Sequence, residues 1–378
     1  MTLTLTDDQI MIREEATRFL ADRASRTHIR HFIEAGGGTD AKLWASLSQE
    51  LGWAAMAIAE EQGGLGLGAT EQLLLLEETG ASLAPVPLWS NSCLAAPLLQ
   101  RLGSPRAHEI LEAIASGEAS VTLALPDIGA QNGGLGQINA QQSAEGFALS
   151  GKITAVIDAK AADILLLPVN LGGEIAVLEL SAAQLSLTDQ PCLDATRSLS
   201  ALSLEGLRLP LEARLDQGGV TAQDWDYCLD YARLGLAAEQ IGTAKAVMDI
   251  TLDYISERVQ FGRLIASYQA IKHRCALLQV DLAEARSLAY GVADGFADRS
   301  PEDRGMEVAA LKAMADDLAQ KACREAIQMH GGVAMTWEYD PHFYFKRAQV
   351  SASLLGIAAV YYESIAADLL GPMGGKHG

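Results

Sequence analysis

The sequence is poor in basic residues, cysteines and long apolar runs, and each shortage excludes a class of protein. Its 28 lysines and arginines stand against 48 aspartates and glutamates, which gives a net charge of −20. Nucleic acids and anionic membranes bind proteins through a sizeable basic surface, so we expect neither as a partner. A small anionic ligand is not excluded, because a few local arginines or lysines suffice to bind it.

The five cysteines are scattered, and none forms a CxxC pair or lies at metal-ligand spacing from a histidine. An odd, dispersed set is typical of buried reduced thiols, and no metal site is predicted. The first eight residues carry no basic, apolar leader pattern, and no apolar run approaches the ~20 residues of a membrane span. These absences predict a cytoplasmic protein without a membrane segment.

At 378 residues and 49% apolar content, the chain can bury a large core and is long enough for two or three domains. The residue patterns predict an α+β fold in three parts. These are an N-terminal α-helical domain over residues 1–119, a middle β-barrel or sandwich over 120–215, and a C-terminal four-helix bundle over 216–378.

The N-terminal part begins with a capping box, because Thr6 is followed three residues later by Gln9 and then by an apolar helical stripe. Further helical patterns run to Leu51, stopped by Gly52, and from Glu71 to Leu83. The run GGLGLG at residues 63–68 resembles a nucleotide-binding loop, but it follows a helical pattern and lacks the GK[ST] ending. We interpret it as a tight turn between helices.

From residue 120 the pattern changes to short β-rich runs separated by Gly, Asn, Asp and Pro. These runs lie at residues 121–125, 146–157, 164–169, 175–180 and 202–209, with a glycine-rich loop at 129–136. After Pro210 helical periodicity returns. Four long helices are predicted, at Trp225 to Arg258, Tyr268 to Ala297, Glu302 to His330, and about Ala352 to Leu370.

Two stretches combine glycine with polar side chains at helix ends: ERVQFGRLI at 257–265 followed by YQAIKH at 268–273, and AIQMHGGVAMTWEY at 326–339. Glycine at a helix end has an ordinary explanation, since it adopts the left-handed backbone that ends a helix. Together, however, the two stretches supply an arginine for a pyrophosphate, an aromatic face, amides and bare backbone. They predict a site for a large phosphate-bearing cofactor.

Both stretches resemble the C-terminal signatures of the flavin-dependent acyl-CoA dehydrogenases, and Glu60 to Gly66 is similar to the N-terminal loop of that family. The resemblance covers essentially the whole chain and implies an FAD site shared between subunits. It also implies α,β-desaturation of an acyl-CoA thioester, with electron-transfer flavoprotein as the acceptor. The residues that it assigns to FAD binding are Arg258, Phe261, Gln269, Gln328, Gly331 and Gly332.

The sequence departs from the family at the catalytic base. Counting from the two motifs places the expected glutamate at Leu355, or alternatively at Ala232, and neither residue accepts a proton. Arg233 matches an arginine next to the family's active site and is expected to adjoin the substrate.

Two nearby carboxylates are weak candidates for a substitute base. On a helix, Asp230 is rotated about 200° from Ala232, whereas Glu239 lies on the same stripe but ~10 Å further along the axis. Glu239 is more readily interpreted as a buried or interface carboxylate. The identity of the base is therefore not predicted.

The middle domain also departs from the family. At the position of the family's flavin-binding loop this chain has the sequence LALPDIG, residues 123–129. Ala155 to Ile157 stand where the family has a Trp-Ile-Thr contact with the flavin. This pattern resembles the base-lacking subunit of the heteromeric bacterial acyl-CoA dehydrogenases that degrade steroid side chains.

Three functions follow from this sequence. The first is a dehydrogenase subunit paired, as a heterotetramer, with a base-bearing homologue. The second is a self-sufficient homotetramer with a displaced carboxylate as base. The third is a catalytically silent binding or regulatory homologue.

Overall fold

The computed structural model describes residues 5–216 and 219–371, and its N-terminal third is helical, as predicted. The hydroxyl of Thr6 accepts a hydrogen bond from the Gln9 N–H at 3.2 Å, and the Gln9 side chain accepts one from the Thr6 N–H at 3.0 Å. The predicted capping box is confirmed. The α-helices of this part are α1 Asp7–Arg23, α2 Arg26–Glu34, α3 Ala41–Ala45, α4 Ala69–Ser82, α5 Ala96–Leu102 and α6 Pro105–Ala115, with π-helical turns at Ser46–Glu50 and Ser90–Ala95.

The glycine run at 63–68 forms a turn between helical segments. It joins the 3₁₀ turn Glu60–Gln62 to α4, and Gly63 and Gly66 have φ values of +78° and +62°. Residues with a Cβ rarely adopt such angles, which explains why glycine stands there. The prediction of a tight turn is confirmed.

The middle part consists of three small sheets packed around one apolar cluster. Its strands are β1 Val121–Leu123, β2 Ala140–Ser143, β3 Gly146–Leu149, β4 Lys152–Ile157, β5 Ile164–Leu171, β6 Glu174–Ser181, β7 Leu187–Asp189, β8 Leu199–Ser203 and β9 Arg208–Leu209. Strand β1 pairs in parallel with β5, which pairs antiparallel with β6; the other two sheets have the orders β2-β3-β9 and β4-β8-β7 and are antiparallel. Strands β2 and β7 were not predicted.

The C-terminal part is helical, with three of the four predicted long helices in place. They are α7 Ala222–Glu257, α8 Gln269–Ala293 and α9 Pro301–His330. The fourth prediction needs correction, since the last helix, α11 Ala358–Leu370, begins later than expected and a further helix, α10 Pro341–Ala352, precedes it. A turn at residues 353–357 separates these two helices.

Helix α7 organises the molecule, because it packs on α9 and α8 in the bundle and on α4 of the N-terminal part. With 36 residues it is about 54 Å long. Ala232 lies near its beginning and Arg258 caps its end, so the helix separates the two groups of candidate residues. Among the described residues, no helix is both long enough and apolar enough to cross a bilayer.

Candidate functional site

The six residues predicted to bind the cofactor lie at one end of the bundle. Arg258 caps α7, Gln269 begins α8, and Gln328 lies in the last turn of α9. The ring of Tyr254, near the end of α7, stacks on His330 with 4.2 Å between ring centroids. This contact places the end of α7 beside the end of α9.

A small hairpin projects from this end. Strand β10 Val259–Gln260 pairs with β11 Arg263–Leu264, and Phe261 lies at the tip between them. Phe261 is 93% exposed and has a φ of +53°, an uncommon backbone conformation for a bulky residue. An aromatic ring held out in this way is available for stacking on another molecule.

All six residues are exposed and form an open surface, which we call the nucleotide platform (Arg258, Phe261, Gln269, Gln328, Gly331 and Gly332). Gly331 ends α9 with a φ of +68°. A Cβ added at Gly331 or Gly332 would meet no atom of the described residues within 4 Å. Bare backbone, a guanidinium, an aromatic ring and two amides are the groups that bind a pyrophosphate and a purine. The platform therefore fits part of an FAD molecule.

The first expected base position is closed as well as apolar. Leu355 is fully buried, and its backbone N–H donates to the carbonyl of Ile128 at 2.7 Å. The next N–H, of Gly356, donates to the carbonyl of Gly129 at 3.0 Å. Carbonyls of the loop after β1 thus already accept the hydrogen bonds of the two backbone N–H groups at the position where the base is missing.

The second expected base position is closed by a tryptophan. Ala232 is fully buried, and its carbonyl accepts a hydrogen bond from Nε1 of Trp89 at 2.8 Å. Trp89 is itself 1% exposed. Neither Leu355 nor Ala232 has a side chain that can accept a proton, and both residues are fully buried.

Arg233 connects the elements around these positions. Its guanidinium pairs with Asp230 at 2.7 Å, donates to the hydroxyl of Tyr361 at 2.9 Å and donates to the carbonyl of Gln131. Burial raises the pKa of Asp230, and the charge of Arg233 opposes that rise. A cavity of about 400 Å³ opens beside Arg233, between α7, α9 and α11.

Glu239 is buried in a network of charges that sequence reasoning did not find. It pairs with Arg197 from the middle part and lies 3.9 Å from Nη1 of Arg347 on α10. Both arginines also lie within ion-pair distance of Asp194. The network joins α7 and α10 to the middle part of the chain, and the two arginines balance the negative charge of Glu239. The sequence alone does not show which carboxylates the buried Arg197 and Arg347 pair with.

The nucleotide platform is far from the two base positions of the same chain. Residues 232 and 258 are 26 positions apart on α7 (258 − 232), which is about 39 Å along the helix axis. Ala232 and Arg258 therefore belong to different regions of the molecule. No cluster of three or more His, Cys, Asp or Glu side chains suited to a metal ion occurs in the described ranges.

Comparisons with known proteins agree with this architecture. The acyl-CoA dehydrogenase N-terminal domain family matches residues 6–118, and the acyl-CoA dehydrogenase C-terminal domain family matches residues 219–370. Among curated relatives, acyl-CoA dehydrogenase IpdE2 of Mycobacterium tuberculosis is 32% identical over 93% of this chain and 94% of its own.

Two solved structures show the same fold. One chain of the ChsE4-ChsE5 complex of Mycobacterium tuberculosis is 26% identical, with a TM-score of 0.88 over 98% of this chain and 99% of its own. A chain of a variant of the Tcur3481-Tcur3483 steroid ACAD is 25% identical, with a TM-score of 0.86 over 97% of this chain and 98% of its own. Two matching domain families, a relative that aligns along almost its whole length and the shared fold place this chain in the acyl-CoA dehydrogenase family.

Proposed function

We propose that this chain is the base-lacking subunit of a heteromeric, FAD-dependent acyl-CoA dehydrogenase, and that a homologous partner chain supplies the catalytic carboxylate. The observation that carries the proposal is the closed base position. The side chain of Leu355 has no proton-accepting group, and the backbone N–H of Leu355 already donates to the carbonyl of Ile128. A thioester carbonyl could therefore find neither a base nor that donor in this chain.

The platform gives this chain a positive role in the same enzyme. Arg258 would bind the pyrophosphate of FAD by charge-assisted hydrogen bonds, and Phe261 would stack on the adenine. The amides of Gln269 and Gln328 would hold polar edges of the nucleotide, while Gly331 and Gly332 let it approach the backbone. When bound, FAD supplies the acceptor for the hydride that leaves Cβ of the acyl chain as a base removes the proton from Cα.

The length of α7 argues that the platform serves a flavin in another subunit. Because about 39 Å of helix separate Ala232 from Arg258, one cofactor cannot span both. The partner would then bind the flavin ring and provide the base, and this chain would hold the nucleotide end. The open platform and the exposed Phe261 are consistent with a surface that a second subunit covers.

The substrate class that we propose is an acyl-CoA, with a steroid-derived acyl group favoured by the similarity to the Tcur3481-Tcur3483 steroid ACAD. Electron-transfer flavoprotein as the acceptor and a cytoplasmic location are further proposals, and both rest on the family resemblance. Arg233 would lie beside the thioester end of a bound substrate, since it lines the cavity between α7 and α11.

A self-sufficient enzyme is the second candidate, with Glu239 or Asp230 as base. The structure disfavours it, because Glu239 is held by Arg197, and Asp230 lies between Arg233 at 2.7 Å and Arg304 at 3.4 Å. Each carboxylate is therefore already engaged by an arginine and is not free to face a substrate. A silent binding homologue is the third candidate, and a lower FAD occupancy of the complex in the Arg258→Gln variant would argue against it.

The decisive experiment is expression of the chain alone and together with candidate homologous subunits, such as the product of an adjacent gene. We expect the isolated chain to retain little FAD and to desaturate no acyl-CoA, and the co-purified complex to do both. Stoichiometric FAD and full turnover from the isolated chain would contradict the proposal. In the complex, Arg258→Gln should lower FAD occupancy, whereas Arg106→Gln, which removes a surface ion pair with Glu179, serves as the control.

A further inference from the structure

We propose that the protein has a second small-molecule site, separate from the cavity that Arg233 lines, that binds a small, neutral, flat compound bearing a carboxamide or an equivalent donor and acceptor pair. The site is a cavity of about 320 Å³ between α4, α5, the beginning of α7 and the segment that follows α8. Cavities of this size are typical of small-ligand sites in proteins. The proposal does not depend on the function proposed above.

Three buried polar side chains that line this cavity lack hydrogen-bond partners within the described part of the chain. They are Gln72, Ser92 and Tyr231, which are 1%, 3% and 7% exposed. Both the amide oxygen and the amide nitrogen of Gln72 are unpaired, as are the hydroxyls of Ser92 and Tyr231. Buried polar groups in folded proteins almost always have partners, so three such residues around one cavity indicate an external one.

The chemistry of these groups selects the ligand. The Gln72 side chain offers an acceptor and two donors on one plane, which a second carboxamide matches with a pair of hydrogen bonds. The hydroxyls of Ser92 and Tyr231 can each donate or accept. A ligand with both a donor and an acceptor at one end satisfies all three side chains.

The wall of the cavity is aromatic. The rings of Tyr227 and Tyr231 each meet Phe296 edge to face, with 5.3 Å between centroids. The guanidinium of Arg101 lies 3.8 Å from the centroid of the Tyr227 ring and supports it. Aromatic walls of this kind favour a flat apolar body on the ligand.

The charge of the cavity lining disfavours an anionic ligand. Asp298 is the one residue with a formal charge among those that line the cavity, and its charge is negative. The guanidinium groups of Arg101 and Arg304 lie against the Tyr227 ring and are not among the lining residues, so a phosphate or a carboxylate would find no cation to pair with directly. This distinguishes the cavity from any site for a coenzyme A phosphate.

The cavity also lies on a different side of α7 from Arg233. Tyr231 and Arg233 are two residues apart on α7, so their side chains point about 200° apart around the helix axis. Arg233 lines the separate cavity next to α11, whereas Tyr227 and Tyr231 line this one. A compound bound here would contact α7 without occupying the region around Leu355.

Saturation-transfer NMR on the full chain tests the proposal with three probes of similar shape: benzamide, benzoate and toluene. We expect benzamide to bind, and benzoate and toluene to bind at least about tenfold more weakly. Gln72→Leu should weaken benzamide binding about tenfold, and Tyr231→Phe should weaken it less. Binding of toluene equal to that of benzamide, or no transfer to benzamide at all, would overturn the proposal.

A filling variant separates ligand binding from damage to the fold. Ala57→Phe places a ring in the cavity from a half-buried position and keeps all three polar side chains. It should abolish the benzamide signal with an unchanged circular dichroism spectrum. Undiminished transfer to benzamide in this variant would also overturn the proposal, whatever the fate of Gln72→Leu.

Discussion

Arg30 of α2 donates two hydrogen bonds to Oδ1 of Asp340, the residue before α10, from Nε at 2.9 Å and from Nη2 at 2.6 Å. The same guanidinium donates to the carbonyls of Trp337 and Glu338, at 2.7 Å each. The segment that it holds begins five residues after Gly332 (337 − 332). An N-terminal helix thereby fixes the loop that continues from the nucleotide platform.

Replacing Arg30 should loosen the platform. We expect Arg30→Lys to keep the charge but lose the forked geometry, and so to raise the Kd for FAD of the assembled complex roughly threefold to tenfold. Arg30→Ala should also lower the free energy of unfolding by about 1–3 kcal/mol. Fluorescence titration with FAD and thermal denaturation measure the two effects. Arg106→Lys is the matched control, and a loss of stability without any change in FAD affinity would assign Arg30 a purely structural role.

Restoring a carboxylate at the base position should not restore catalysis. Leu355→Glu buries a charge in a position that is fully enclosed and has a φ of +56°, so we expect a loss of stability of about 3 kcal/mol. No desaturation of acyl-CoA should appear in the isolated chain, because the Leu355 N–H remains bound to Ile128. Leu355→Gln is the uncharged control of equal size. Turnover by the isolated Leu355→Glu chain would show that the position is open to substrate.

Much of the fold could be predicted from the sequence because its signals are local. The capping box at Thr6 and the long apolar stripes of α7 and α9 are such signals, and these helices begin and end within a few residues of the predicted limits. Helix α10 was missed for a physical reason. Its buried face carries Arg347 and Ser351, 1% and 0% exposed, whose partners come from the middle part of the chain. Polar residues on a buried face break the apolar periodicity that predicts a helix.

The candidate site, like the fold, is predictable only where its signals are local in the sequence. The platform residues lie within two short motifs, so the sequence could locate them, although their role in FAD binding stays a prediction. The closure of the base positions depends on contacts between distant residues, such as Trp89 with Ala232, which are 143 residues apart. A sequence records that the glutamate is absent, but not that a loop and a tryptophan occupy its surroundings.

Removing the two candidate carboxylates should affect stability and leave the chemistry of the complex intact. Glu239→Gln removes the closer of the two carboxylates beside the buried Arg197 and leaves only Asp194 at 3.9 Å, and we expect a loss of about 3–5 kcal/mol. Asp230→Asn should also destabilise the fold, since it removes the partner of Arg233 and Arg304. Bleaching of the flavin by acyl-CoA in the assembled complex should persist in both. Loss of bleaching in a folded, FAD-loaded variant would identify that carboxylate as the base.

The control for both variants is Asp249→Asn on the exposed side of α7. Asp249 pairs with Lys245 at 2.6 Å, and both side chains are about half exposed. Exposed pairs of this kind contribute roughly 0–1 kcal/mol, so this variant should unfold close to the wild-type temperature. A large loss in this control would mean that α7 tolerates no charge change, and the other two results would then say nothing specific about Glu239 or Asp230.

His330 should make the platform end of the bundle sensitive to mild acid. Burial lowers the pKa of its imidazole, against the opposing effect of the hydrogen bond between Nδ1 and the carbonyl of Ala326 at 2.8 Å. The unfolded chain therefore binds a proton at this residue at a higher pH than the folded chain. Its contribution to stability is fully present above the ordinary histidine pKa of about 6.5 and is lost as the pH falls through the folded value. We expect the wild-type protein to lose more stability between pH 7 and pH 5 than His330→Phe, which keeps the stacking on Tyr254 but cannot be protonated. Chemical denaturation at both pH values measures the difference, and an equal loss in the two proteins would show that His330 does not titrate in this range.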